Sequence, residues 1–582
     1  MHARSIAMLD GWTDEEFEVL RSPWLLWGHF ALTCVLFVVA GVCQWLRSGP
    51  EVPNSVGFFH PFTSDGGGGE RVLWCAVREI QRARPDCQCV IYTGDDATGE
   101  ELARRAKERF GVELRAVPGV VKLRWRGLVV PERYPVLTMV GQAIGGALLT
   151  AEAVTSYRPT VFFDTVGHAF GYPVAKLAGC VVACYVHYPT ISSDMIARVA
   201  SRADTYNNRS IVAHSWLLSV LKLAYYKSFA VVYGACGRYA ACVAANSSWT
   251  AAHLRRLWRV DRVRVVYPPC DVAGLTDFSL SDRSGGGRGD IQGGVQGGVR
   301  GGVRGGRGVK GVEGIEGVER VDGGDGSGEG PYLVSVGQFR PEKDHALQLR
   351  AWAKMRADER DADTPSVPSD ARLKIVGGCR GEADKRRLDA LRATAKDLGV
   401  FDSVEFHVDV PYARLRELLG GAAAGVHTML DEHFGICVVE YMAAGAVPIA
   451  HDSAGPAMDI VVPAVRPEAS EGDEGPPNDA SGDDVRLPVG FLATTVDGYA
   501  DAMWAALSMT EDERVTMATL ARARADVFSE RAFNGAFIDA MAPALASLAL
   551  DRRDAILEAA GVRTRGPRGA ASPAGGPRRR RG

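Results

Sequence analysis

Two long blocks of this chain alternate short apolar runs with amphipathic stretches, and that alternation limits the fold more than any other feature. In the first block VGFFH (56–60), CQCVIYTGD (87–95), PTVFFDTVG (159–167), VVACYVHYP (181–189) and RVRVVYPP (262–269) read as buried strands closing on Gly, Pro or a turn. Between them run helical stretches such as GEELARRAKERFG (99–111), whose final glycine suits a helix C-terminus. The second block repeats the pattern with PYLVSVGQF (331–339), ARLKIVGG (371–378), SVEFHVDV (403–410) and AVPIAHD (446–452), again with helical stretches between. Strand, helix, strand at this spacing requires a parallel sheet with helices on both faces. Two such blocks fit a length of 582 residues, too long for one core.

The expected class is therefore α/β, with two Rossmann-like doubly wound domains facing a cleft and ligands at the carboxyl ends of their strands. The first covers 52–278; the second covers 331–495, with helices over 496–549. Residues 279–330 are repetitive and Gly-rich and cannot bury enough apolar surface to offset their ordering entropy, so this insert is expected to be disordered. An acidic, Pro-rich insert covers 464–487, and a basic tail expected to be disordered covers 550–582.

Ahead of the first block, after an N-terminal segment 1–23, WLLWGHFALTCVLFVVAGVCQWL (24–46) holds no Asp, Glu, Lys or Arg. That is enough helix to span a bilayer, with Trp24, Trp27 and Trp45 near its ends. A cleaved signal peptide is the competing reading. The apolar core is longer than a signal's, acidic residues (Asp14, Glu15, Glu16, Glu18) precede it and no clear cleavage site follows, which favours a retained anchor. Stretches 134–154 and 214–245 are also rich in apolar residues, and read either as core helices or as a surface resting in the membrane interface. Lys plus Arg number 67 and Asp plus Glu 70, a balance that argues against a nucleic-acid binder. The twelve cysteines show no metal-finger spacing and read as free thiols of a reducing compartment.

Three stretches carry the chemistry. In FFHPFTSDGGGGERV (58–72), Gly66, Gly67, Gly68 and Gly69 lie between a strand and a helix. Glu70 and Arg71 follow where an ATP-binding P-loop needs Lys and Ser or Thr, so that loop is excluded. What remains is a backbone free of Cβ atoms that a ligand can approach, before a helix end that attracts anions. In SVGQFRPEK (335–343), Arg340 and Lys343 follow a strand, three residues apart, and could both face a diphosphate. In DEHFGICVVEYMAAG (431–445), Glu432 falls on a loop and Glu440 two turns into a helix, with the N–H groups of Phe434, Gly435 and Ile436 at the helix N-terminus. Carboxylates so placed accept hydrogen bonds from sugar hydroxyls while the helix end holds phosphates.

This set resembles the retaining GT-B glycosyltransferases with a Glu-x7-Glu motif, read here as Glu432 to Glu440, with GQFRPEK as the phosphate element. FFHPFTSDGGGGERVLWCAV, VHYPTISSDM, NSSWT and EHFGICVVEYMAAGAVPIAHDSAGPAMDIV narrow it to the eukaryotic α-1,2-mannosyltransferases that extend dolichol-linked Man3GlcNAc2 on the cytosolic face of the endoplasmic reticulum. The resemblance implies GDP-mannose as donor, Man3GlcNAc2-diphosphodolichol as acceptor, addition of the fourth and fifth mannoses, a membrane partner and contact with other mannosyltransferases of the pathway. It implies that 52–278 is the acceptor domain and 331–495 the GDP-mannose-binding domain, and that Arg340 and Lys343 bind the diphosphate, Glu440 the ribose and Glu432 the donor mannose. Gly66 to Gly69 would line the cleft, and His187, a core histidine without the resemblance, would stand by the donor sugar. Fixed cations and a helix end would meet the charge growing on GDP, with no cofactor and no metal expected, retention at the anomeric carbon and a mannose 2-hydroxyl as nucleophile. The competing functions are an α-1,3 or α-1,6 mannosyltransferase of the same pathway and a non-catalytic, membrane-anchored nucleotide-sugar-binding subunit. Sequons at Asn208 and Asn246 should carry no glycan if the catalytic part is cytosolic.

Overall fold

The computed structural model describes residues 34, 38–64, 66–200, 216–281, 283, 330–358, 366–465 and 486–548. Most of the expected anchor, the body of both inserts, the basic tail and Asn208 lie outside these residues.

The alternation produces two parallel sheets. The first has β1 (Glu51–Phe59), β2 (Gln88–Thr93), β3 (Gly119–Lys122), β4 (Arg158–Asp164), β5 (Val181–Val186), β6 (Cys242–Ala245) and β7 (Val263–Val265) in the order β3-β2-β1-β4-β5-β6-β7. Its helices are α1 (Gly68–Ala83), α2 (Gly99–Phe110), α3 (Thr138–Ser156), α4 (Tyr172–Ala178), α5 (Ser193–Ala200), α6 (Trp216–Gly237) and α7 (Ser248–Trp258). The second sheet has β8 (Tyr332–Val336), β9 (Arg372–Gly377), β10 (Val404–Val408), β11 (Ala424–Val426) and β12 (Val447–His451). Residues Ala464–Val465 (β13) and Arg486–Leu487 (β14) pair antiparallel and close the ends of the acidic insert, and β15 (Phe491–Ala493) completes the order β10-β9-β8-β11-β12-β15. Around it lie α8 (His345–Ala357), α9 (Glu382–Asp397), α10 (Tyr412–Gly420), α11 (Ile436–Ala444), α12 (Val496–Ser508) and α13 (Glu511–Ala525).

In each sheet the strand order reverses beside the first strand, between β1 and β4 and between β8 and β11. Loops leaving opposite sides of such a point diverge and open a crevice at the carboxyl edge. The candidate residues follow β1, β5, β8 and β11, so the topology puts them on the two lips of one cleft.

Two boundaries differ from the sequence reading. Cys270, Val272 and Leu275 pack in the core of the second half, and Cys270 bridges to Ser529, so the chain crosses over before residue 278. Arg283, inside the expected Gly-rich insert, is buried and donates from Nη1 to the Ala422 carbonyl at 3.0 Å and from Nη2 to the Ala444 carbonyl. It shares with Arg522 the capping of the Ala444 carbonyl at a buried helix end. The last helix, α14 (Glu530–Ala546), returns to the first half, where Phe533, Phe537 and Met541 join the core beneath α1 and β5. Glu530 pairs with Arg71 at 3.3 Å and Arg78 at 2.7 Å. The C-terminal helices are therefore shared between the halves rather than forming one appendage.

α3 and α6 cover one face of the first sheet, in a core cluster that also takes Leu46. Their outer sides stay apolar: Ile144 and Leu148 of α3 and Leu221, Val231 and Val232 of α6 are exposed, as are Val136 and Leu137 just before α3. Neither alternative for the two apolar stretches is complete, since each helix has one side in the core and an apolar side outside it. Among the described residues no helix is long and apolar enough to cross a membrane.

Candidate active site

The glycine run forms the entry to α1. Gly66 takes φ +69°, a backbone that favours glycine, and its N–H donates to Glu70 Oε1 at 2.6 Å. Gly67 caps the helix, and a Cβ there would meet nothing within 4 Å. A Cβ on Gly68 would come within 2.5 Å of Ile436 Cδ1, from the other half. A Cβ on Gly69 would lie 3.5 Å from His187 Nε2, a buried nitrogen with no hydrogen-bond partner. The glycines therefore border open space, the first turn of α11 and a vacant imidazole nitrogen. Burial pushes His187 down to about 4 and the neighbouring His60 to about 3, so both rings are neutral at physiological pH.

The opposing lip is charged. GQFRPEK leaves β8 and turns through a short 3₁₀ segment, Pro341–Lys343, packing the Lys343 stem 3.5 Å from the Cβ position of Gly337. Lys343 Nζ lies 2.5 Å from Glu432 Oε2, and His427 Nε2 is 3.1 Å from the same oxygen. Burial disfavours the charge on Glu432, but the His427 hydrogen bond and the Lys343 charge outweigh it and hold the carboxylate well below the usual range. Burial also opposes charge on His427, yet contacts with Cys437 and Glu432 lift it to about 9. Cys437 Sγ stands 3.4 Å from His427 Nδ1. Thr428 Oγ1 donates to the Lys343 carbonyl at 2.8 Å, tying the two loops together.

Gly435, at φ +104°, caps α11, which begins at Ile436, and Gly445 ends it at φ +84°. Glu440 therefore falls one turn into the helix rather than two, because the left-handed cap at Gly435 delays the helix start. Phe434 turns its ring away into the core, against Tyr267 and Phe528. Burial raises Glu440 to about 7 despite the charge of Arg71, with Asp271 adding to the rise.

The structure thus joins Lys343 to Glu432 directly and sets Glu440 apart, toward Arg71 of the first half. Arg340 is exposed at the start of the 3₁₀ turn. His427 was not singled out from sequence; its position directly after β11, at the switch point, was the available signal. Arg71 was read only as the residue excluding a P-loop. Asn246 is buried at the end of β6, its N–H bonded to the Val186 carbonyl, so its sequon reports burial rather than topology. Among the described residues no group of three His, Cys, Asp or Glu side chains could hold a metal ion. All twelve cysteines are free thiols.

The fold is similar to that of a sucrose-phosphate synthase from Thermosynechococcus elongatus (TM-score 0.54, 15% identity, covering 85% of this chain and all of that one) and an α,α-trehalose-phosphate synthase from Burkholderia vietnamiensis (TM-score 0.51, 11% identity, with the same coverage). Residues 53–258 match the family model of the ALG11 mannosyltransferase N-terminus, and residues 325–470 that of glycosyl transferases group 1. Relatives named GDP-Man:Man(3)GlcNAc(2)-PP-Dol alpha-1,2-mannosyltransferase are 38% identical in Homo sapiens (90% of this chain, 96% of the relative) and 36% in Xenopus laevis (88% and 94%). One from Dictyostelium discoideum is 36% identical over 84% of both chains. Two parallel-sheet domains in the GT-B arrangement, matches to both family models and identity at this level over most of the length lead to one conclusion: this chain belongs to the GDP-Man:Man(3)GlcNAc(2)-PP-Dol alpha-1,2-mannosyltransferase family.

Proposed function

We propose that this chain moves mannose from GDP-mannose to the 2-hydroxyl of a mannose on Man3GlcNAc2-diphosphodolichol, adding the fourth and fifth mannoses of the growing glycan. The observation that carries the site assignment is the Glu432 carboxylate, clamped by Lys343 and His427 on the second lip of the cleft and kept ionised there. A fixed carboxylate at the switch point accepts hydrogen bonds from the hydroxyls of a hexose. In this reading Glu432 holds the donor mannose, with His187 opposite. Arg340 and Lys343 meet the diphosphate together with the N–H groups at Phe434, Gly435 and Ile436, and Gly66 to Gly69 leave the room it needs. Glu440 accepts from the ribose hydroxyls. As the glycosidic bond breaks, charge grows on GDP, and preorganised cations and a helix end lower the barrier without a metal. Transfer proceeds with retention at the anomeric carbon.

The acceptor's lipid places the reaction at a membrane, here the cytosolic face of the endoplasmic reticulum. Segment 24–46 would anchor the chain, and the apolar outer sides of α3 and α6 would rest at headgroup level. Their shared position on one face of the first half supports this reading.

The test is transfer of radiolabelled mannose to a synthetic Man3GlcNAc2-diphospholipid. Two additions, both removed by an α-1,2-mannosidase, are expected. Addition to a shorter glycan with a product resistant to that mannosidase would point to the α-1,3 or α-1,6 enzymes, and donor binding without transfer to a non-catalytic subunit. A fragment 52–582 that is fully active yet fails to float with liposomes would end the membrane reading.

A further inference from the structure

We propose that Asp459 is a positioning residue for the transfer: it ties the loop that carries Glu432 to α7 of the first half and so keeps the two lips in register. This rests on the reading that Glu432 holds the donor mannose. Two stretches beside the lips, NSSWT (246–250) and SAGPAMDIV (453–461), meet here. Ser247 caps α7, its hydroxyl accepting from the Thr250 N–H at 3.1 Å. The N–H of Ser248, the first residue of that helix, has no acceptor within the helix. It crosses to the other half and donates to Asp459 Oδ2 at 2.8 Å. Asp459 Oδ1 accepts from the Tyr267 hydroxyl at 3.0 Å, on the segment where the chain passes between the halves. Asp459 is 2% exposed, so a buried carboxylate gains its hydrogen bonds by joining the halves. The positive end of α7 favours its charge.

From Asp459 the connection runs to Glu432. The residue sits in a single π-helical turn, Pro456–Ile460, and its carbonyl accepts from Arg524 Nη2 of α13 at 2.5 Å. The segment just before this turn backs the donor loop. The Gly455 N–H donates to the Glu432 carbonyl at 3.0 Å, and Ser453 Oγ accepts from the Asp431 N–H at 2.9 Å. A Cβ on Gly455 would lie 2.6 Å from Phe434 Cα, so the two segments touch backbone to backbone. Tyr267 also packs its ring 5.8 Å from that of Phe434, and Trp249 of α7 lies 5.3 Å from the His433 ring. The Glu432 loop is therefore fastened to the first half through its backing segment and along its own side chains.

Both Asp459 oxygens are buried and engaged, so the carboxylate acts through the loop rather than on a substrate. The groups assigned to GDP, namely Arg340, Lys343, Glu440 and the start of α11, all belong to the second half. Transfer alone needs His187 and the acceptor, on the first half, held against Glu432. Losing the tie should spare nucleotide binding and impair turnover.

Calorimetry with GDP on the full chain, and turnover with GDP-mannose and Man3GlcNAc2-diphospholipid, test this. Turnover is taken per GDP-binding site, so that misfolded chain does not count. Asp459→Ala should lower kcat about thirtyfold while the Kd for GDP stays within about threefold. Ser248→Pro deletes only the N–H, at the helix position that best tolerates proline and after a residue already extended (φ −156°, ψ 163°), and should give a similar loss. Adding Asp459→Ala to Ser248→Pro should cost less than about threefold more, because both break one contact. Asp459→Asn, which keeps an acceptor oxygen in place, should recover most of the rate. Normal turnover per GDP site in Asp459→Ala, parallel losses of turnover and GDP affinity, or fully additive losses in the double variant would overturn the proposal. Failure of the donor-site reading would appear differently, as near-normal turnover in Glu432→Gln.

Discussion

Two buried histidines, His187 on the first lip of the cleft and His427 on the second, are driven in opposite directions. On the first, burial drives His60 and His187 to about 3 and 4, and the charge of Asp95 near His60 does not offset it. On the second, His427 is as deeply buried but lies between Cys437 and Glu432, and is lifted to about 9. Burial penalises the charged imidazole in both places; at His427 the contacts with Cys437 and then with the Glu432 carboxylate reverse the outcome. The difference assigns the labour of the cleft: the first lip supplies space and neutral polar atoms, and the second supplies fixed charge.

That division can be broken most forcefully at Glu432. Glu432→Gln removes the charge with little change of shape, and mannose transfer should fall about 10²–10³-fold. Lys343→Ala should lose a comparable factor, and a near-normal rate in either variant would sink the assignment of charge to the second lip. Glu432→Ala should also lower the melting temperature, because the charges on Lys343 and His427 then lose their carboxylate partner in a part-buried site.

A smaller effect sharpens the comparison at Glu440, a carboxylate without such a clamp. Its acid form is favoured up to about pH 7, whereas an ordinary carboxyl ionises near 4.5. Ribose hydroxyls donate more strongly to the ionised form, which accepts at both oxygens, so kcat/KM for GDP-mannose should climb as pH rises through about 7 and then level off. Glu440→Gln should flatten this limb and cost about tenfold at the plateau. The stability sign runs the other way: the folded state holds this proton more tightly than the unfolded chain, so Glu440 subtracts stability as pH rises from about 4.5 to 7. A pH profile unchanged by Glu440→Gln would remove the residue from donor binding.

The smallest structural effect is expected on the first lip. At Gly67 an added Cβ meets nothing, so Gly67→Ala should change stability by no more than about 0.5 kcal/mol. Transfer should nevertheless fall several-fold, since the methyl group would occupy the ligand's space. Equal activity in Gly67→Ala would mean that the run serves the turn at Gly66 alone.

The sequence by itself determined the class of fold and most of the lip residues. Short apolar runs and period-3.6 amphipathic patterns are local, and they dictate two parallel sheets before any contact is known. Glycine runs, Arg340 with Lys343, and Glu432 with Glu440 are visible because special backbone and charge at strand ends are local signals too. What only the tertiary structure decided is who meets whom. His427 and Glu432 are adjacent through the folding of one loop, Lys343 reaches them from another strand, and α14 leaves the half that precedes it to pack beneath α1. No local pattern encodes these encounters, because each depends on the relative placement of distant segments, and the charge states of buried groups follow from that placement rather than from residue type.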